Sequence, residues 1–338
     1  MIKINQQLTK IYVACPANYA TGGPELLHQL ANQLIKMGIQ AFMRYIPYGS
    51  ENPVHPNYEH YKVPYATQVE NSKENIVIIP EAMPQLIFDK EISKMRQVIW
   101  WLSVDNFFPY IDGLLQRHSH KKMFKLKQLF FNYYKIPTVK YIASKRKFYH
   151  LSQSAYATEF LKNNNIHHVA YLSDYLNKAF LSKSPAPSQQ ERKNVVLYNP
   201  KKGLEFTKLL IEQAAHINFV PIENMTPEQV SELLASSKVY IDFGNHPGKD
   251  RFPREAAIMG CCIITNKKGS ANFFEDVPIN DEFKFGDRID DIPKIVAKID
   301  DCLENYNQEQ SKFNHYREVI RNEEQKFKAD LAKIFLID

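Results

Sequence analysis

The 338-residue chain carries 43 Lys and Arg against 37 Asp and Glu, a formal net charge of +6, with 44% hydrophobic, 24% charged and 12% aromatic residues. That composition excludes a disordered chain, and the length predicts two domains of roughly 150 residues each. No apolar run reaches the roughly 18 residues that span a bilayer, residues 1–7 are polar, and four cysteines without a CxxC pair argue against a zinc site or a disulfide framework, so a cytoplasmic protein with reduced thiols is expected.

In chain order, short β-branched runs alternate with longer helical patterns, the signature of βαβ units and a mostly parallel sheet. Residues 10–15 (KIYVAC), 40–46, 75–79 (NIVII) and 97–102 (QVIWWL) predict strands. Between the first two, residues 24–37 place Leu26, Leu27, Leu30, Leu34 and Met37 at helical spacing, with Gly38 as the stop. Short strands at 149–152 and 168–172 flank a helix over 155–163. The polar, proline-containing stretch 182–194 (SKSPAPSQQERKN) predicts an interdomain linker. A second series follows, with strands at 195–198 (VVLY), 218–222, 239–243 (VYIDF) and 261–265 (CCIIT) and helices at 204–215, 226–236 and 253–259. The expected domains are 1–181 and 195–300, followed by a charged helical tail over 301–338.

Four segments carry candidate chemistry. Gly22-Gly23-Pro24-Glu25 follows the first strand and opens the first helix, where glycine lets the backbone approach a ligand and free N–H groups attract an anion. It is not GxGxxG, so a dinucleotide fingerprint is poorly supported, and a tight turn before a helix explains it equally well. The loop 242–260 (DFGNHPGKDRFPREAAIMG) follows an apolar strand; Lys249 and Arg251 suit a diphosphate, Glu255 suits ribose hydroxyls, and a solvated loop is the plain alternative. It is one residue short of a Walker loop, with Asp250 where a Ser or Thr would hold magnesium. Gly269-Ser270-Ala271, after the CCIIT strand, offers small residues and N–H groups for a phosphate. Trp101, Ser103 and Asp105, at the end of the fourth strand, are placed for an acceptor: the aromatic ring to stack on a sugar or to pack in the core, Ser103 to bond hydroxyls, and Asp105, like Glu25, to act as base or acceptor-orienting carboxylate.

The order of strand, basic loop, Arg254-Glu255-Ala256-Ala257, Met259-Gly260, apolar strand and Gly269-Ser270-Ala271 resembles the donor-binding half of GT-B glycosyltransferases of the GT4-like, generally retaining kind. The resemblance implies an α/β fold of two Rossmann-like domains facing a cleft, with the C-terminal helices crossing back to the N-domain. It assigns Glu255 to the nucleotide ribose, Lys202-Gly203 and the turn Gly269 to Ala271 to the donor phosphates, and Gly22-Gly23-Pro24-Glu25 to the acceptor loop. Gln153-Ser154 and Ser173-Asp174 match further family elements. The chain departs from the pattern at Pro247, where the family has an acid, at Tyr198-Asn199-Pro200-Lys201, where an arginine is usual, and at Val104, where many relatives have histidine. Lys249 or Arg251 then supplies the missing charge.

Between Asp112 and Glu159 there is no acidic residue, while ten Lys and Arg, interleaved with aromatics, lie between Arg117 and His150. This stretch suits an anionic membrane surface, and a solvated helix or a nucleic-acid contact would share its composition. Taken together, the expectation is a glycosyltransferase of surface-polysaccharide synthesis, peripheral on the inner membrane face, that moves a sugar from a nucleotide sugar to a glycan or lipid-linked acceptor. With no DxD signature, neither a metal nor a cofactor is expected. The rival readings are a GT-B-like sugar-nucleotide epimerase or phosphorylase, and a non-enzymatic nucleic-acid or membrane scaffold.

Overall fold

The computed structural model describes residues 1–120, 127–128, 132, 134–177, 180–181 and 192–337. The chain divides into two compact units, one of Met1–Asp174 with Phe327–Asp338 and one of Tyr175–Lys326.

In the first unit, β1 (Ile2–Ile4) stands apart from a six-stranded sheet of β2 (Lys10–Pro16), β3 (Gln40–Ile46), β4 (Ile76–Pro80), β5 (Arg96–Trp101), β6 (Tyr149–Ser152) and β7 (Val169–Tyr171). Every pairing is parallel and the order is β3-β2-β4-β5-β6-β7. All five residues of β4 are buried, as a strand covered on both faces requires, which is why its sequence is an unbroken apolar run. After β2, α1 (Gly22–Lys36) lays Leu26, Leu27, Leu30 and Leu34 against the sheet. Its chain reverses at Gly38, whose φ of +81° suits a residue without a Cβ. The unit also holds α2 (Phe107–Ser119), α3 (Val139–Ala143) and α4 (Ala155–Asn163).

The second unit has five parallel strands, β8 (Lys193–Tyr198), β9 (Phe219–Pro221), β10 (Ser237–Asp242), β11 (Cys262–Asn266) and β12 (Lys284–Phe285), in the order β12-β11-β10-β8-β9. Its helices are α5 (Leu204–Gln213), α6 (Pro227–Ser236), α7 (Arg251–Ile258), α8 (Ile292–Glu304) and α9 (Tyr306–Ser311). A capping box starts α6, with Thr226 accepting from the Gln229 amide and Gln229 accepting from the Thr226 amide.

Two expectations are corrected. The division falls at Asp174, ahead of the expected domain end at 181, because Leu176 and Phe180 pack into the core of the second unit. Residues 301–326 are not a separate tail: Cys302, Phe313, Tyr316 and Ile320 are fully buried in that same core. Helix α10 (Asn314–Ile334) then runs into the part of the chain that belongs to the first unit, where β13 (Phe335–Ile337) pairs in parallel with β1. Linker residues 182–191 and residues 121–126, 129–131 and 133 of the basic stretch lie outside the described residues. Among the described residues no helix is long and apolar enough to cross a membrane.

Each sheet contains one position where the chain order reverses. β2 lies between β3 and β4, and β8 lies between β9 and β10. In open parallel sheets, ligands bind outside the carboxyl ends of the strands at such a switch point.

Candidate functional site

At the carboxyl end of the second sheet, three loops meet, those after β8, β10 and β11. Gly203 has φ +61°, and a Cβ there would collide with the Phe243 carbonyl; Gly269 has φ +52°, and a Cβ would collide with the His246 carbonyl. The two glycines therefore permit a close approach that no other residue allows at either position. Buried polar groups close the arrangement: Asn266 Nδ2 donates to the Gly244 carbonyl at 2.7 Å and Ser270 Oγ donates to the Gly248 carbonyl at 2.6 Å.

The charged residues of this loop cluster are paired. Lys202, a third exposed, places Nζ 2.8 Å from Asp250 Oδ2. His246, fully buried, has Nδ1 2.8 Å from the same oxygen and Nε2 3.6 Å from Asp242 Oδ1. Asp242 also accepts from the Tyr240 hydroxyl and the Gly244 amide, both at 3.0 Å. Burial opposes a charge on His246, but Asp250 and Asp242 outweigh it and raise the histidine pKa. Burial likewise opposes the charge of Asp250, and His246 with Lys202 lowers its pKa in spite of it. Arg251 pairs with Glu255 across one turn of α7 at 3.0 Å. Beneath them Glu323, on α10, binds Lys249 Nζ at 2.6 Å and Arg254 Nη1 at 3.0 Å, all three side chains being nearly or fully buried.

The sequence expectations change accordingly. Lys202, Gly203, Arg251 and Glu255 do converge on the switch point of the second sheet. Lys249 does not present its ammonium to a ligand, because the buried Glu323 holds it. Ser270 and Ala271 are fully buried; their amides donate to the His246 and Lys268 carbonyls, so they are staples of the loop rather than phosphate donors. No site role is expected from sequence for Asp242, His246, Asp250, Arg254 or Glu323. Only the i, i+4, i+8 spacing of the first three hints at a cluster.

In the first unit, Gly22 and Gly23 open α1 just past the end of β2, and Gly23 lies beside Leu102, which follows β5. Glu25, largely buried, accepts from the Tyr61 hydroxyl at 3.2 Å. His28, one turn on, faces the Pro24 carbonyl through Nδ1 at 2.6 Å and the Tyr45 hydroxyl through Nε2 at 2.8 Å, and burial lowers its pKa. Half-buried Ser103 and Asp105 follow β5, and Asp105 accepts from the Tyr156 hydroxyl at 2.9 Å. Nothing in the sequence pattern points to Glu81. Fully buried at the end of β4, it accepts the amides of Leu102 and Ser103 at 2.8 and 2.9 Å, and burial pushes its carboxyl up to about 7. Trp101 is corrected: its ring is wholly buried among Phe107, Phe160 and His150, with Nε1 3.2 Å from His150 Nδ1, so it is core and cannot stack on a ligand. Burial holds His150 neutral by lowering its pKa to about 4, which leaves Nδ1 free to accept.

No protein-family model matches the chain, and no curated protein matches it in sequence. Solved structures match it in fold. HepE of Anabaena, in complex with UDP, gives a TM-score of 0.61 at 10% identity over 96% of this chain and 99% of its own. Sucrose-phosphate synthase of Thermosynechococcus elongatus gives 0.61 at 10% identity over 96% and 98%. A variant of TarM from S. aureus, in complex with UDP, gives 0.52 at 11% identity over 79% of this chain, which spans 56% of the TarM chain. The chain has the GT-B fold of glycosyltransferases.

Proposed function

We propose that this chain is a glycosyltransferase whose second unit holds a nucleoside diphosphate sugar and whose first unit holds the acceptor. The observation that carries the reading is Lys202: a part-exposed ammonium at the switch point of the second sheet, on a loop that Gly203 presses against the start of the 243–250 loop, with Arg251 and Glu255 on the next helix. Cations suit the diphosphate and Glu255 suits the ribose hydroxyls. HepE, a structural neighbour, is known in complex with UDP-glucose, which favours a uridine diphosphate sugar as donor.

In the transfer, the bond between the anomeric carbon and the diphosphate oxygen breaks, and its electron pair leaves with the diphosphate. An acceptor hydroxyl oxygen bonds the anomeric carbon and passes its proton to the departing diphosphate oxygen. Lys202 and Arg251 stabilise the departing charge, and Asp105 and Glu25 orient the acceptor. The finer reading is a retaining, metal-independent enzyme of surface-polysaccharide synthesis, cytoplasmic and peripheral on the inner membrane face, with a glycan or lipid-linked acceptor. It is supported by the GT4-like order of motifs and by the acid-free stretch between Asp112 and Glu159.

The test is release of free nucleotide from a panel of UDP-, GDP- and ADP-sugars, with and without EDTA, followed by NMR of the product anomer. Turnover of one donor, retained in EDTA and reduced at least tenfold in Lys202→Ala, supports the reading; no turnover and no binding of any donor refutes it.

A further inference from the structure

The charges around the 243–250 loop form a connected set. Asp250 Oδ2 is shared by Lys202 Nζ and His246 Nδ1, each at 2.8 Å, and His246 Nε2 faces Asp242. Ligand atoms of Asp242, His246 and Asp250 lie within 4.8 Å of one another. A metal ion there would have to displace Tyr240 and Gly244 from Asp242 and Lys202 from Asp250, so the cluster is better described as an ionic network.

Counting charges, two carboxylates and Lys202 sum to −1 when His246 is neutral and to zero when it is protonated. Moving Lys202 away leaves buried Asp242 and part-exposed Asp250 facing one buried imidazole, an arrangement that is costly unless the imidazole carries a proton. A diphosphate, with its greater charge, competes with Asp250 for that ammonium. Resting on the glycosyltransferase reading above, we propose that Lys202 rests on Asp250 until the donor diphosphate draws it off, and that His246 takes up a proton as it leaves. Asp250 and His246 are then positioning residues of the donor site, acting through Lys202.

The groups facing His246 are Asp242 from the end of β10, Asp250 from the start of α7 and Lys202 from the loop before α5; the Gly269–Asn272 turn contributes backbone, Ser270 N donating to the His246 carbonyl. Beyond them, Tyr240 bonds Asp242, Arg254 Nε donates to the Asp250 carbonyl, and Lys249 is held by Glu323. Lys202 disfavours protonation of His246, so its departure acts in the direction of proton uptake.

The experiment is calorimetric titration of the full chain with UDP, GDP and ADP at pH 8, where the terminal phosphate, with a pKa of about 6, is already ionised. Repeating it in buffers of different ionisation enthalpy reads the protons exchanged. The wild type is expected to take up as much as one proton per nucleotide, with affinity falling by up to about tenfold per pH unit between pH 7.5 and 9. His246→Asn should bind without uptake and with flat affinity over that range; Lys202→Met should bind more weakly and also without uptake. Should His246→Asn fail to fold, the wild-type and Lys202→Met titrations decide. Tight binding with no proton uptake anywhere from pH 7 to 9, or uptake unchanged in either variant, overturns the proposal and leaves the donor site standing. Absence of binding by all three nucleotides removes the underlying reading as well.

Discussion

Replacing Glu323 by alanine would remove a carboxylate partner from two buried cations. Its carboxylate sits between Lys249 and Arg254 at 2.6 and 3.0 Å, and the side-chain exposures of the three are 3%, 5% and 0%. Removing one partner of a buried ion pair costs about 3–5 kcal/mol, because the charge it faced is less well compensated where water cannot reach it. Arg254 keeps hydrogen bonds to the Lys249 and Asp250 carbonyls, so the loss is of charge compensation more than of donors satisfied. For a unit of roughly 150 residues, that loss lowers the unfolding midpoint by about 6–20 °C. Glu323→Gln keeps the shape and an acceptor, and should fall between wild type and alanine. Adding Lys249→Met to Glu323→Ala should recover part of the loss, because one of the two cations that faced Glu323 is gone. Urea unfolding read by fluorescence and circular dichroism, compared at constant m, measures each variant. A loss below about 1 kcal/mol for Glu323→Ala would refute the argument that Glu323 compensates Lys249 and Arg254 in a dry environment.

Two further perturbations separate structural from chemical roles. Glu81 has its carboxyl raised from 4.5 to about 7, so between those values the folded state binds more protons than the unfolded one and stability falls as pH rises. Relative to Glu81→Gln, which does not titrate, the wild type should lose up to about 3 kcal/mol between pH 4.5 and 8; a difference that stays constant with pH would contradict this. Trp101→Ala should destabilise the protein by about 3–5 kcal/mol in the same urea assay, as loss of a core aromatic does, whereas an exposed stacking residue would cost little.

The parallel sheets were legible because strands buried on both faces must be unbroken apolar runs, and residues 40–46, 149–152 and 155–163 were located to the residue. Other strand ends moved by one or two residues, where pairing rather than composition sets the limit. β1 and β13 were invisible: each is three residues long, and their register, Ile2 with Phe335, joins the two ends of the chain. α2 was missed because its first residues, Phe107-Phe108-Pro109, give no start signal. At the site, glycines were readable because their need for space is local. Partners were not: Glu323 is 74 residues from Lys249, and nothing near Lys249 says that its ammonium turns inward. Trp101 failed for the converse reason, since an aromatic at a strand end reads the same whether it faces solvent or Phe107 and Phe160.

The central claim is that the switch point of the second sheet binds a nucleoside diphosphate through Lys202 and Glu255. A thermal-shift panel of UDP, GDP, ADP and CMP on the full chain, with Lys202→Ala and Glu255→Ala beside the wild type, tests it most directly. The account predicts that one diphosphate, UDP first among them, raises the wild-type midpoint and that both variants lose the shift while still unfolding cooperatively. Wild-type protein that shows no shift with any nucleotide at millimolar concentration, or variants that shift as the wild type does, would contradict it.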